Sequence, residues 1–248
     1  MSLAQRFFNA TREGRLVSGL RRRILGRPIS PLSPLYAKYR TYTMMPEELF
    51  SAELNLVRTI TAAGLIVECG VWRGGMSAAM ADTLPARTHY LFDSFEGLPP
   101  VEPVDGPAAA AWQADVTSPR YYDNCRVECS FAEQAMQMSA AKAFHLVVGW
   151  FCDTLPTFVC PEPIAVLRLD CDWYSSMKPC LETLMPHLAP GGLVLIDDYH
   201  LWDGCARAVH EYLSGTGSTL RIKTCPAGVT YLQKGDGHSV LEQRLNPA

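Results

Sequence analysis

Two stretches of the chain concentrate carboxylates just beyond apolar runs. LRLDCDWYSS places Asp170 and Asp172 at the end of one run, and VLIDDYH places Asp197 and Asp198 at the end of the next. Carboxylates gathered on neighbouring strand ends repel one another unless a cation sits among them. Hard oxygen ligands without a His or Cys cluster suit Mg²⁺, with Ca²⁺ or Mn²⁺ as substitutes. Taken singly, each acid also has a structural reading: Asp172 can cap the helix after it, and Asp198 can satisfy a turn. Taken together, they favour a metal at the ligand-binding edge of a sheet.

A second constellation is IVECGVWRGGMS at residues 66–77, where Glu68 closes an apolar run and Gly70, Gly74 and Gly75 follow. Dinucleotide loops use G-x-G-x-x-G to bring backbone N–H groups onto a pyrophosphate, and that pattern is absent. A carboxylate in its place suits a ligand that carries a sulfonium and an ammonium, which is S-adenosylmethionine. Asp93 ends the next apolar run, where an acid can accept both ribose hydroxyls. The plainer alternative is that Glu68 and Asp93 cap turns.

Strands and helices must alternate to put these residues on one edge. Apolar, partly β-branched runs at 65–69, 89–93, 145–148, 164–169 and 193–196 read as strands. Helix-compatible stretches lie at 75–84, 131–142 and 176–188, the last punctuated by Pro179 and Pro186. Continuous apolar strands joined by helices mean a parallel sheet covered on both faces. A helix over 204–214 and the pair TLRIK and VTYLQK close the chain, while the alanines at 108–111 read as loop. The outline is α/β: a class I S-adenosylmethionine-dependent methyltransferase, Rossmann-like, with a mostly parallel seven-stranded sheet and an N-terminal helical arm.

Composition sets the limits. A chain of 248 residues, 48% hydrophobic and of net charge -3, suits one sizeable domain. Seven arginines lie in the first 27 residues, followed by the linker GRPISPLSP. The division is therefore a basic arm and linker over 1–40 and a body over 41–248. The arm reads as amphipathic, packed on its own domain or on a sister subunit, so a homo-oligomer is expected, with no nucleic-acid or membrane partner. No run of 18 apolar residues exists, and the nine cysteines lack metal-site spacing, so reduced thiols and a cytoplasmic location are expected.

The order YTM, ECGVWRGGMS, LFDSFEGLP, GWFCDTLP, LRLDCDWYSS and LAPGGLVLIDDYHLWDGCARAV resembles the macrocin O-methyltransferase family over roughly residues 41–233. These are metal-dependent sugar methyltransferases of antibiotic biosynthesis. The resemblance implies S-adenosylmethionine as donor and a hydroxyl of a deoxysugar on a natural product as acceptor. It makes Asp170, Asp197 and Asp198 the Mg²⁺ ligands and Asp172 the general base. Glu68, Gly70, Asp93 and Ser94 become cofactor contacts, with Trp150 near the adenine. Ala206 and His210 depart from the expected basic and acidic residues, which bears on the acceptor or on local packing.

A sugar hydroxyl must lose its proton as the carbon–oxygen bond forms, so a base and an acidifying cation are both expected. The loop 99–124 and YRTYTMMP are the expected lids, with Tyr42, Met44 and Met45 as an apolar wall or ordinary core. His200, just past the aspartate pair, is a candidate acceptor contact, although a lone His after a strand is more often a surface or packing residue. The rival readings are a catechol- or phenol-type Mg²⁺-dependent methyltransferase, a nicotinamide oxidoreductase, and a non-catalytic interaction protein that retains a cofactor site.

Overall fold

The structure, a computed structural model, describes residues 33–235. The arginine-rich arm, and with it the basis for expecting an oligomer, lies outside the described residues. Helices α1 (Pro34–Tyr39) and α2 (Glu47–Arg58) precede the sheet. Neither was expected, yet EELFSAELNLVR carries a helical face: Phe50, Glu53, Leu54 and Val57 are all buried. The compact unit begins at Pro34, and Tyr39 is fully buried, its hydroxyl donating to Asp82 at 2.8 Å.

From there the order is β1 (Leu65–Cys69), α3 (Gly75–Thr83), β2 (Thr88–Asp93), α4 (Gly106–Ala114), α5 (Ser130–Gln137) and β3 (Ala143–Val148). Next come α6 (Phe151–Thr154), β4 (Ile164–Leu169), α7 (Tyr174–Leu184), β5 (Leu188–Ile196), α8 (Asp203–Gly215), β6 (Lys223–Thr224) and β7 (Thr230–Gln233). The seven strands lie in the order β3-β2-β1-β4-β5-β7-β6. β3 through β5 are parallel neighbours, and β7 pairs antiparallel with both β5 and β6. This is the expected parallel sheet with a terminal pair, although β6 keeps only two residues of the expected strand.

Burial explains the strand sequences. β1 and β4 are buried at every position, so both read as continuous apolar runs with one charged exception each, Glu68 and Arg168. One core packs α2, α3 and α5 on one face of the sheet, and a second packs α7 and α8 on the other. The helix α7 runs through Pro179 and gives way at Pro186 to a short 3₁₀ turn. The expectation of a loop at 108–111 is corrected: those alanines form the middle of α4, with Pro107 in its first turn. Alanine favours helix intrinsically, but only Ala109 is buried, so no amphipathic period announces the helix.

β1 and β4 are where strand order reverses, and their ends approach closely. Gly70 has φ +84° and donates its N–H to Phe92 O at 2.9 Å, while Asp170 N–H reaches Cys69 O at 2.9 Å. A Cβ on Gly70 would lie 1.7 Å from the Asp170 carbonyl oxygen. Neither backbone can retreat without losing a ladder bond. Gly70→Ala is therefore expected to lose more than about 4 kcal/mol of stability in urea denaturation. A loss below about 1 kcal/mol would show that the two strand ends can part.

Candidate active site

A cleft opens beyond the carboxyl ends of β1, β2 and β4. Gly70, Asp93, Ser94, Trp150, Asp170 and Asp172 all line it, joined by Met44, Trp72, Leu98, Pro99, Cys125 and Phe151. A mostly apolar concavity with a few convergent acids suits a small organic ligand. Five sequence-derived candidates besides Gly70 thus meet here, while Glu68, Asp197 and Asp198 stand behind the wall.

Asp93 holds the loop after β1. Its Oδ2 accepts from Val71 N at 2.6 Å and Trp72 N at 2.8 Å, and its Oδ1 from Phe95 N at 2.7 Å. Burial raises its carboxyl above the ordinary range against these three donors. Ser94 forms the adjoining turn, its Oγ accepting from Glu96 N at 3.1 Å. Trp150 sits at the N-terminus of α6 and is 37% exposed beside the cleft.

Behind the cleft lies a buried ionic cluster around Arg168, which is 1% exposed. Its Nε donates to Glu53 at 2.7 Å, its Nη1 to Glu68 and Asp170 at 2.8 Å each, and its Nη2 to Asp197 at 3.2 Å. Met45 Sδ accepts from the same Nη2 at 3.2 Å. Burial alone would lower the guanidinium pKa, but Glu53, Asp170, Glu68 and Asp197 raise it well above its ordinary value. Glu68 spends its remaining oxygen on the Ser77 hydroxyl, and burial still lifts its carboxyl to about 7. Both Glu68 oxygens therefore face the interior. Ser77, at the start of α3, ties that carboxylate to the glycine loop.

Asp170, Asp172 and Asp198 form the second cluster, each offering an oxygen within 4.8 Å of the others. Asp172 has φ +57°, a conformation that Asp tolerates better than most residues. That turn aims its N–H at Asp198 Oδ2, 3.2 Å away, and its Oδ1 at Trp202 Nε1, 2.9 Å away. Burial and the Asp170 charge raise Asp172 to about 7, and burial and Asp172 push Asp198 well above the carboxylate range. The adjacent Asp197 is likewise raised by burial and Asp170, partly offset by Arg168. One guanidinium faces four of these acids, and the buried Glu53 Oε1 has no donor among the described residues. The excess negative charge and hard oxygen donors fit a divalent cation. The pair Asp197 and Asp198 is divided, one carboxylate facing Arg168 and the other facing Asp170 and Asp172.

The expected lid over 99–124 is clasped at its base. Gln113 Nε2 donates to Pro99 O at 2.9 Å and Asn124 Oδ1 at 3.1 Å, and Asn124 Nδ2 reaches Leu98 O at 2.7 Å. Of the expected apolar wall only Met44 lines the cleft, since Met45 contacts Arg168 and Tyr42 packs on the core. His200 pairs weakly with Thr224 at 3.5 Å, and His210 with the Tyr199 hydroxyl at 2.8 Å.

The site residues passed over in the sequence are Arg168, Glu53, Ser77 and Trp202. Two carried a signal: a charge inside IAVLRL, and a Glu on the apolar face of α2, must each find a buried partner.

A parallel sheet with this strand order and a cleft at its reversal point defines the class I methyltransferase fold. The chain belongs to the macrocin-O-methyltransferase (TylF) family, whose profile matches residues 38–234. It is 38% identical over 169 residues to the 8-demethyl-8-(2,3-dimethoxy-alpha-L-rhamnosyl)-tetracenomycin-C 4'-O-methyltransferase of Streptomyces olivaceus, covering 63% of this chain and 61% of that one. Mycinamicin III 3''-O-methyltransferase of Micromonospora griseorubida is 35% identical over 168 residues, with 64% of each chain covered. The matched length is thus under two thirds of each of these relatives. The solved O-methyltransferase NovP superposes with TM-score 0.64 at 27% identity, over 78% of this chain and 82% of that one. The calicheamicin methyltransferase CalS11 gives TM-score 0.61 at 22% identity over 90% and 93%.

Arg168→Leu leaves buried carboxylates without their counter-charge and is expected to cost about 3–5 kcal/mol in equilibrium unfolding. Arg168→Lys, a point charge without the fork, should fall between it and the parent. Parent-like stability of the Leu chain would show that these carboxylates fold as neutral acids.

Proposed function

We propose that this chain transfers the methyl group of S-adenosylmethionine to a hydroxyl of a sugar carried by a natural product, assisted by Mg²⁺. The observation that carries this reading is the meeting, in one cleft, of the loops after β1 and β2 with Asp170 and Asp172, which each offer an oxygen within 4.8 Å of one from Asp198 behind them. Family membership and the activities of the two relatives, one on a rhamnosyl tetracenomycin and one on mycinamicin III, support the sugar acceptor.

Gly70, Asp93, Ser94 and Trp150 wall the cofactor, and Glu68 supports that wall from behind through Ser77. Asp170, Asp197 and Asp198 would hold the cation. Arg168 engages one oxygen of Asp170 and one of Asp197, which leaves the other oxygen of each for a metal. When bound, Mg²⁺ acidifies and orients the acceptor hydroxyl. Asp172 accepts that hydroxyl's proton on the oxygen that Trp202 leaves free. The carbon–oxygen bond forms as the carbon–sulfur bond breaks, and the sulfonium leaves as a neutral thioether. Met44, Trp72, Leu98 and Phe151 exclude water from a step that cancels charge.

The grouping of Asp172 with Asp170 and Asp198 favours a second reading, in which Asp172 is a ligand and Asp197 stays with Arg168. Mn²⁺ titration monitored by electron paramagnetic resonance separates the two. On the first reading Asp197→Asn weakens Mn²⁺ binding, while Asp172→Asn retains it and loses about 10²- to 10⁴-fold in kcat. The reverse pattern of Mn²⁺ affinities selects the second. Full activity after rigorous chelation would remove the metal from both.

The reading extends to a vicinal-diol acceptor, one hydroxyl methylated and its neighbour the handle that a bound Mg²⁺ would hold. A glycoside lacking the neighbouring hydroxyl should lose far more than the ~1 kcal/mol of an ordinary hydrogen bond in kcat/KM. Equal kcat/KM for the matched pair would reject the diol.

A further inference from the structure

We infer that Trp202 is a positioning residue for the proton-accepting carboxylate: its indole N–H fixes one oxygen of Asp172 and so presents the other to the acceptor. The inference rests on the reading of Asp172 as the base. A carboxylate on a single-bonded Cβ can rotate through a wide arc, and the chemistry needs one oxygen directed into the cleft. Two hydrogen bonds hold Asp172 among the described residues. Its backbone N–H is tied to Asp198 Oδ2 at 3.2 Å, and its Oδ1 accepts from Trp202 Nε1 at 2.9 Å. Indole is a donor without acceptor capacity, so this contact can orient the carboxylate without taking its proton.

The indole is itself braced. Trp202 meets Trp173 edge-on at 5.2 Å and Trp112 at 6.3 Å, and Trp112 meets Trp173 at 6.1 Å. Trp173 is fully buried and anchors the triangle by donating its own Nε1 to Pro99 O at 3.0 Å. The three rings come from α4, the turn after β4 and the turn after β5. Their packing holds the Trp202 ring at a fixed angle, so the N–H arrives in a set direction. The backbone after Asp198 adds a second restraint, since Trp202 N–H donates to Asp198 O at 3.1 Å. The residue that orients Asp172 is thus built on the same turn as a proposed metal ligand.

Trp202→Phe keeps an aromatic ring in the triangle and deletes the donor. Site-specific replacement of the indole by benzothiophene, which puts sulfur where the N–H was, preserves the ring shape if Phe packs poorly. Both variants are expected to lower kcat by about 10- to 100-fold, with S-adenosylmethionine and Mn²⁺ affinities within about twofold of the parent. The decisive measurement places each replacement in an Asp172→Asn background. A residue that acts through Asp172 should cost no more than about twofold there, whereas a packing role should cost the same in both backgrounds. Equal losses in the two backgrounds, unchanged kcat in the benzothiophene chain, or a fall in Mn²⁺ affinity would each overturn the inference. If Asp172→Asn itself turned over normally, the assignment of the base would fall instead, a separate result read from that single variant.

Discussion

The arrangement of the strand ends depends on one buried guanidinium. Arg168 reaches carboxylates on β1, on α2 and just beyond β4 and β5, and each bond uses a different direction of a rigid planar fork. Fixed donor angles convert a charge requirement into a distance requirement between elements. Glu68 on β1 and the acids beyond β4 and β5 are spaced by the same side chain. A lysine would satisfy the charge but would leave that spacing to packing alone.

Backbone bonds repeat this logic at the loop origins. Gly70, Gly149, Asp170 and Asp197 each donate one further ladder bond beyond their strands, to Phe92, Asp93, Cys69 and Leu169. The acids consequently begin on backbone as firmly held as the sheet. The segment over 99–124 is built differently, from α4 and from long turns clasped by their own side chains, Gln113 and Asn124. Strand-end loops tied into the ladder and a segment sewn by its own side chains differ in consequence, because the second can change without disturbing the sheet.

Much of this was legible in the sequence because apolar runs and strand-end acids report burial and charge directly. The five parallel strands, the terminal pair and the edge on which Gly70, Asp93, Ser94, Trp150, Asp170 and Asp172 gather were readable in that way. Helix α4 was not, since polyalanine carries propensity but no period. The direction of side chains was also beyond reach. Glu68 is the fourth residue of β1, near the strand end where a ligand would want it, yet its carboxylate turns inward onto Arg168, its cross-strand neighbour on β4, 2.8 Å away. The separation of Asp197 from Asp198 has the same origin: successive side chains leave a strand end on opposite faces, and only one face holds Arg168.

Sequence separation within the Arg168 cluster carries a consequence for the order of folding. Asp170 is two residues from Arg168, Glu68 is 100 away and Glu53 is 115 away. On a growing chain Glu53 is made long before its partner exists, so α2 must wait, or dock on its apolar face alone, until β4 is placed. Loop-closure entropy for such distant contacts is spent before their charges meet. The last long-range bond to close would then be the one that seals the ionic cluster, making the strand-end architecture a late product of assembly rather than its nucleus.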